Sequence, residues 1–204
     1  MIAGTVYGVV LNDQLQRAAL AEAFTQKPYA APPRAPVLYI KPRNCWRFAG
    51  AAVPVPDDLA EVEVAATVAL MFGDANSVPV GAALALEVCE PHASFYRPAI
   101  RQRCRDGFLP LGEFGAYDLA ALAAHPIVTL VDGVEAHSWS LARLVRDVPS
   151  LIAAVNDFMT LENGDVLLVG LPADAPRVAP GQGVRVAHRA LPALQARFER
   201  EILL

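Results

Sequence analysis

A largely apolar segment at residues 62–72, with the sequence VEVAATVALMF, constrains the fold more than any other part of the chain. Its valines and its threonine are β-branched, and such residues favour the extended backbone of a pleated sheet. The segment is also long enough to form a strand that is buried along its length. It therefore predicts a buried strand within a sheet.

Shorter segments repeat this preference for strands. Strands are predicted at residues 5–12, 37–42, 165–172 and 179–188, and a hairpin is predicted around the Asp-Gly pair 132–133. Prolines make residues 27–36 an extended loop and residues 53–56 an extended edge segment. Residues 78–90 suit either a helix followed by a strand or a strand throughout.

Helical spacing is confined to residues 15–24 and to residues 140–161, where Pro149 interrupts the pattern. Because short strands dominate, we predict a β-rich α+β fold with few helices. A chain of 204 residues is also the right size for one domain, which we place at residues 1–204.

Composition limits the partners of this domain. The chain is 54% hydrophobic with a mean hydropathy of +0.34, yet a charged residue or proline interrupts every apolar run before the roughly 18 residues of a membrane span. We therefore expect no membrane partner and, from an N-terminus that reads as a strand, a cytoplasmic location. A net charge of -4 disfavours nucleic acid. The apolar excess predicts an oligomer with an aliphatic interface.

Cysteine usage gives no sign of a metal or redox motif. Cys45, Cys89 and Cys104 are odd in number and lack the close CxxC spacing of a zinc or redox site. We predict that they are buried thiols without chemistry.

Two carboxylates stand one residue apart at the start of the long apolar segment. Glu61 and Glu63 would share one face of a strand, which is one way to present a pair of ligands to a divalent metal. The same alternation suits a solvated edge face with valines packed behind it, and we favour that interpretation.

Several phrases, taken in order, resemble the fumarylacetoacetate hydrolase family. They are IKPRN at 40–44, RCRDGFLPLGE at 103–113, and DFMTLENGDVLLVGLP at 157–172 followed by PGQGVRV. SFYRPAIRQRCRDGF and GTVYGVVLN are most similar to one branch, the bifunctional isomerases/decarboxylases of homoprotocatechuate (4-hydroxyphenylacetate) degradation, in their N-terminal half or N-terminal subunit. The resemblance implies a mixed β-roll in which two units pair, and action on an oxo-di- or tricarboxylate with Mg2+ or a similar ion in the active members.

The resemblance also implies which metal ligands this chain lacks. The Glu-x-Glu pair of active family members falls on Ala65 and Thr67, and the Asp that supplies their third ligand falls on Glu87. A hard cation needs oxygen ligands, which Ala65 cannot offer. We therefore expect no metal and no other cofactor in this chain. A family threonine is likewise replaced by Leu171, and a family lysine by Arg103.

The positions that keep polar side chains form the predicted site. By resemblance the catalytic candidates are Lys41, Glu87, Arg103 and Asp106, which should converge on one cleft. His92, in a proline-flanked loop, is either a mobile acid/base that binds substrate or an exposed loop histidine.

Arginines at 97, 101, 103 and 105 alternate, and in an extended segment they would share one face. We expect Arg101 and Arg105 to clamp substrate carboxylates, or else to pair with acids of a partner chain.

Two functions remain open from the sequence. The chain is either a component of a bifunctional isomerase/decarboxylase, acting on 5-oxopent-3-ene-1,2,5-tricarboxylate and 2-hydroxyhepta-2,4-diene-1,7-dioate, or a catalytically silent structural partner of a metal-competent sister subunit. In either case the expected partner is a second copy of the chain or that sister subunit.

Overall fold

The structure is a computed structural model that describes residues 3–48, 50–74, 78–92 and 94–201. Strands dominate these ranges, as predicted. The strands are β1 (Val6–Val10), β2 (Val37–Lys41), β3 (Trp46–Phe48), β4 (Ala52–Val55), β5 (Val62–Phe72), β6 (Pro79–Cys89), β7 (Leu109–Leu111), β8 (Gly115–Ala116), β9 (Ile127–Val131), β10 (Val134–Trp139), β11 (Val166–Leu168), β12 (Arg177–Val178), β13 (Gly183–His188) and β14 (Leu191–Arg200).

The helices are few and short. They are α1 (Gln14–Ala19), α2 (Ile100–Arg103), α3 (Leu119–Ala123) and α4 (Val148–Asn156), with 3-10 turns at Ala23–Thr25, Arg43–Cys45 and Leu141–Arg143. The prediction of a β-rich α+β fold is therefore confirmed. Among the described residues no helix is both long and apolar enough to cross a membrane.

The strands form two sheets. Within the described ranges, the larger sheet has the order β2-β1-β11-β5-β6-β7-β3, with β12 beside β5 and β8 beside β6, and the smaller has the order β10-β9-β13-β14-β4. One face of β5, with Val64, Val68 and Leu70, joins a core cluster that also holds Val186 and Phe198 of the smaller sheet. The opposite face of β5 is where the candidate site lies.

The long segment at residues 62–72 is the buried strand that the sequence predicts, because it runs antiparallel to β6 along almost its whole length. Residues 78–90 form a strand throughout, so the helical alternative for them is wrong. The hairpin is also confirmed: Asp132 and Gly133 have φ values of 49° and 85°, as the two central residues of a type I′ turn require.

Two helix predictions are wrong in extent. Residues 15–24 form only α1 and a separate 3-10 turn. Pro149 does not interrupt a helix but lies in the first turn of α4, where a missing amide proton is tolerated, and the Asp147 side chain caps that turn by accepting from the Ser150 amide at 2.9 Å. Strand β14 was not predicted at all, although its buried residues alternate with exposed ones.

Candidate functional site

Three charged side chains meet against the larger sheet, two from its strands and one from α2. We call them the ion triad: Lys41, Glu87 and Arg103. Lys41 ends β2, Glu87 lies near the end of β6, and Arg103 ends α2. Lys41 Nζ is 2.8 Å from Glu87 Oε1, and Arg103 Nη1 is 2.8 Å from Glu87 Oε2. All three residues are buried. The structure thus brings together three of the four side chains that the sequence predicts as catalytic.

Lys41 is fully enclosed by the protein. Its ammonium group donates to the carbonyl oxygens of Val88 at 3.1 Å and Phe108 at 2.9 Å, and to that of Arg103, in addition to its contact with Glu87. An ammonium group has only three protons, so no donor remains for a ligand. Lys41 therefore positions Glu87 and the neighbouring backbone rather than touching a substrate.

Arg103 contacts Glu87 of the triad on one side and lines a cleft on the other. Its Nη1 contacts Glu87, and its Nη2 lies 3.2 Å from His92 Nε2. Burial alone would lower the pKa of the guanidinium, but Glu87 raises it above the usual value, so Arg103 remains charged. The guanidinium also stacks over the Tyr39 ring, with 5.2 Å between its carbon and the ring centroid.

His92 is held as a neutral imidazole. Its Nδ1 is 3.0 Å from the Ser94 carbonyl oxygen, which can only accept, so Nδ1 carries the proton and Nε2 accepts from Arg103. Burial, and then the charge of Arg103, lower the pKa of His92 below its ordinary value. The ring thus presents an unprotonated Nε2 next to a fixed positive charge.

Tyr39 is a site residue that the sequence analysis missed. Its hydroxyl is buried without a hydrogen-bond partner among the described residues, and burial, followed by the charge of Glu87, raises the pKa of Tyr39. A Cβ on Gly8 would lie 2.1 Å from Cζ of Tyr39, so β1 needs glycine there to admit the ring. The available signal was spacing, because residues 39 and 41 share one face of β2.

Tyr39, His92 and Arg103 line a cleft of about 350 Å³ between β2 on one side and His92 with residues 94–103 on the other. Its polar lining includes Tyr39, His92, Arg97 and Arg103, and its remaining walls are mostly apolar. A concave, largely apolar cavity with a few convergent polar groups is the usual form of a small-molecule site.

Asp106, Arg101 and Arg105 lie apart from this cleft. Asp106 is exposed and accepts from Asn44 Nδ2 at 2.7 Å. The interpretation of the arginine-rich stretch as extended is wrong, because it contains α2, and Arg103 turns to Glu87 whereas Arg101 and Arg105 both reach Asp58. Arg101 lies 3.5 Å from Asp58 at the surface.

Arg105 forms an ion pair with Glu90 and is 4.0 Å from Asp58. Both arginines therefore contact acids of their own chain.

The two carboxylates at the start of β5 do not form a pair on a solvated edge. Glu61 contacts Arg177 at 2.8 Å. Glu63 is half-buried, in a strand that has β6 on one side and β12 on the other, so the interpretation of an edge face is wrong. Burial raises the pKa of Glu63.

The side chains at the three positions that the resemblance assigns to metal ligands do not fit a divalent cation. Ala65 lies directly opposite Glu87 in the β5–β6 ladder and packs with Leu171 in an apolar cluster. The Thr67 hydroxyl donates to the Gly170 carbonyl oxygen at 2.6 Å. Both Glu87 oxygens contact cationic side chains. In the described part of the chain, no cluster of three or more His, Cys, Asp or Glu side chains is placed to hold a metal ion.

Comparisons with known proteins agree with this architecture. The chain is 42% identical over 201 residues to the 4-hydroxyphenylacetate degradation bifunctional isomerase/decarboxylase of Salmonella dublin, a match that covers 94% of this chain but only 46% of that protein. The chain thus spans about half the length of this relative.

Two solved structures share the fold. They are 5-carboxymethyl-2-hydroxymuconate delta-isomerase from Mycobacterium smegmatis (TM-score 0.80, 23% identity, 100% of this chain and 81% of that chain) and fumarylpyruvate hydrolase from Pseudomonas aeruginosa in complex with Mn2+ and pyruvate (TM-score 0.77, 18% identity, 97% and 90%). The family model for the fumarylacetoacetate (FAA) hydrolase C-terminal region matches residues 5–199. From its two-sheet fold and from this match over nearly its whole length, the chain belongs to the fumarylacetoacetate hydrolase family.

Proposed function

We propose that this chain is a component of a bifunctional isomerase/decarboxylase of homoprotocatechuate catabolism, acting in the cytoplasm. Its proposed substrates are 5-oxopent-3-ene-1,2,5-tricarboxylate and 2-hydroxyhepta-2,4-diene-1,7-dioate. The name and 42% identity of the Salmonella dublin relative support this assignment. Because the chain spans only part of that relative, the proposed component corresponds to one half or one subunit of the complete enzyme.

The observation that carries the proposal is the charge of the ion triad beside the cleft. Two buried cations, Lys41 and Arg103, share one carboxylate, Glu87, which leaves one formal positive charge without a counterion in the triad. A buried charge needs a partner, because its desolvation is otherwise unfavourable by several kcal/mol. A carboxylate of an oxo-acid entering the cleft would supply that partner.

Arg103 and Tyr39 are the donors for such a substrate. A guanidinium has five N–H groups, of which contacts with Glu87 and His92 engage two. The remaining donors suit a bidentate contact with a carboxylate. The Tyr39 hydroxyl can donate to the neighbouring oxo oxygen, where negative charge develops as an enolate forms.

His92 is the proposed base for isomerisation. When Arg103 donates to the substrate instead of to His92 Nε2, the lone pair of that nitrogen becomes free. It can then remove a proton from one carbon of the dienoate and return it to another, which shifts the double bonds. In decarboxylation, the electron pair left by carbon dioxide would move onto the oxo oxygen, facing the same two donors.

The alternative is a silent structural partner of a metal-competent half or subunit. The apolar packing of Ala65 against Leu171 and the enclosure of Lys41 favour it, since these side chains offer nothing to a substrate or a metal. In both cases we propose pairing with a second copy or with the sister half, because aliphatic and aromatic side chains such as Phe48 and Val80 are 68% and 58% exposed.

The test is turnover of each substrate by the purified chain, with and without Mg2+, alone and mixed with a metal-competent sister half. Dienoate loss is followed by absorbance and decarboxylation by carbon dioxide release. Arg103→Met should lower kcat/KM by about 10- to 100-fold, the effect of losing a charged hydrogen bond. Arg177→Met, which removes an exposed arginine that contacts Glu61 away from the cleft, is the matched control.

Each result separates the two functions. Metal-independent turnover by the chain alone that falls in Arg103→Met supports an active component. Turnover that appears only in the mixture, and that Arg103→Met leaves unchanged, supports the silent partner and overturns the catalytic assignment.

A further inference from the structure

Two cysteine side chains lie close to the triad. Cys45 ends the 3-10 turn that follows β2, and Cys104 directly follows α2 as its C-cap residue. Both side chains belong to one apolar cluster, and the Cys45 sulfur lies beside the backbone that leads from Arg103 into Cys104. Cys45 is buried, whereas Cys104 is half-exposed, so the prediction of three buried thiols is wrong for Cys104.

The backbone on both sides of this thiol pair is fixed. Asn44, the residue before Cys45, donates from its side-chain amide to the Cys104 carbonyl oxygen at 3.1 Å. The Cys45 sulfur lies 4.0 Å from the Arg103 carbonyl oxygen, and the Cys104 sulfur lies 3.5 Å from that of Ile40. A disulfide needs closely spaced backbones, and these contacts hold the two segments together.

The two thiols differ in reactivity. The neighbouring Cys45 thiol lowers the pKa of the Cys104 thiol; burial opposes this and the nearby Lys41 charge assists it. The Cys104 thiol and burial raise the pKa of Cys45. A half-exposed thiol with a lowered pKa next to a second thiol is the usual arrangement of an oxidisable pair.

Cys89 provides an internal contrast. It is buried, its sulfur donates to the Glu90 carbonyl oxygen at 3.1 Å, and burial raises its pKa to about 12. It should therefore be inert under the same conditions.

We propose that Cys45 and Cys104 form a peroxide-reactive thiol pair, a modification site at which oxidation joins the 3-10 turn after β2 to the end of α2. The Cys104 thiolate attacks the O–O bond of a peroxide, an S–O bond forms, and the departing hydroxide takes up a proton as water. The Cys45 sulfur then attacks the Cys104 sulfenic acid, the S–S bond forms, and the oxygen leaves as water with the Cys45 proton. The two thiols lose two electrons in total, and the peroxide is reduced to two waters.

The experiment treats the full reduced chain with a small excess of hydrogen peroxide under native conditions. Non-reducing peptide mapping should show a Cys45–Cys104 link with the loss of two hydrogens, while Cys89 remains available to an alkylating reagent after denaturation. Because the disulfide closes a loop of about 60 residues, it should raise Tm by roughly 5–10 °C, reversibly with a thiol reductant. The variant Cys89→Ser should behave like the unchanged chain.

Three results would overturn the proposal: oxidation of Cys104 to sulfinic acid with Cys45 still free, a cross-link that includes Cys89, or no reaction of Cys104. The mapping uses the unmodified sequence, so it does not depend on the folding of a cysteine variant. The proposal is also independent of the proposed function, because the readout is a covalent bond and not turnover.

Discussion

Lys41→Met tests the ion triad directly, because it removes the ammonium group while retaining a long, unbranched side chain. Three carbonyl oxygens and Glu87 lose a cationic donor, although Glu87 keeps its contact with Arg103. Each buried acceptor left without its donor costs about 1–3 kcal/mol, and removal of the surplus positive charge of the triad offsets part of the sum. We therefore expect the free energy of unfolding to fall by about 4 kcal/mol, a large part of the roughly 5–15 kcal/mol typical of a folded protein.

The measurement is urea unfolding followed by tryptophan fluorescence. Trp46 is a suitable reporter because its indole Nε1 donates to the Lys41 carbonyl oxygen at 2.9 Å. With an m-value of about 2 kcal/mol per M, the expected loss moves the midpoint down by about 2 M at unchanged m. Lys27→Met is the matched control: Lys27 is exposed and is the only other lysine in the sequence, and its loss should change stability by no more than about 0.5 kcal/mol.

A midpoint shift as small as that of Lys27→Met would refute the account of Lys41 as the enclosed cation of the triad. The double variant Lys41→Met with Glu87→Gln isolates the pair term. If Lys41→Met is as destabilising in the Glu87→Gln background as in the unchanged chain, the two side chains are not coupled, and the stability of the site has another origin.

Two further predictions concern the base and the assembly. Burial and the charge of Arg103 lower the pKa of His92 below 6.5. Because the proposed base is the neutral form, activity should persist below pH 6.5 and fall only at a more acidic pH. An acidic limb of the kcat/KM profile at or above pH 6.5 would contradict this role. The exposed apolar side chains predict a homodimer that buries at least ~1,600 Å² of total surface. Light scattering over a dilution series would exclude it by showing a monomer at micromolar concentration.

Much of the fold was predictable because buried strands have a recognisable apolar, β-branched composition. Residues 62–72 form the strand that their β-branched, apolar composition predicts, and the Asp132-Gly133 pair supplies the two positive φ values that a tight hairpin requires. Helix α2 was not predictable in this way. It has only four residues, too few for a helical period to be distinguished from the alternation of a strand.

The site was predictable where a charged side chain in a buried strand required a partner of opposite charge. Glu87, in an otherwise aliphatic strand, needed a cationic partner, and the structure supplies both Lys41 and Arg103. Tyr39 was missed because a tyrosine in an apolar strand usually indicates packing alone. Only the fold shows that its hydroxyl is buried without a partner among the described residues, and that Arg103 of α2 covers its ring.

We propose that the charge of the triad lets this site attract anions although Ala65 and Thr67 are poor ligands for a metal. Relative to the pattern that the resemblance implies, Ala65 and Thr67 remove two negative charges, and a site that held no divalent ion would also lack two positive ones. Arg103 preserves the charge of the lysine that it replaces. In that case the net charge at the site would be unchanged, and the surplus cation that attracts an oxo-acid would be a side chain of the protein. Substrate binding should then be insensitive to chelators, while remaining dependent on Arg103.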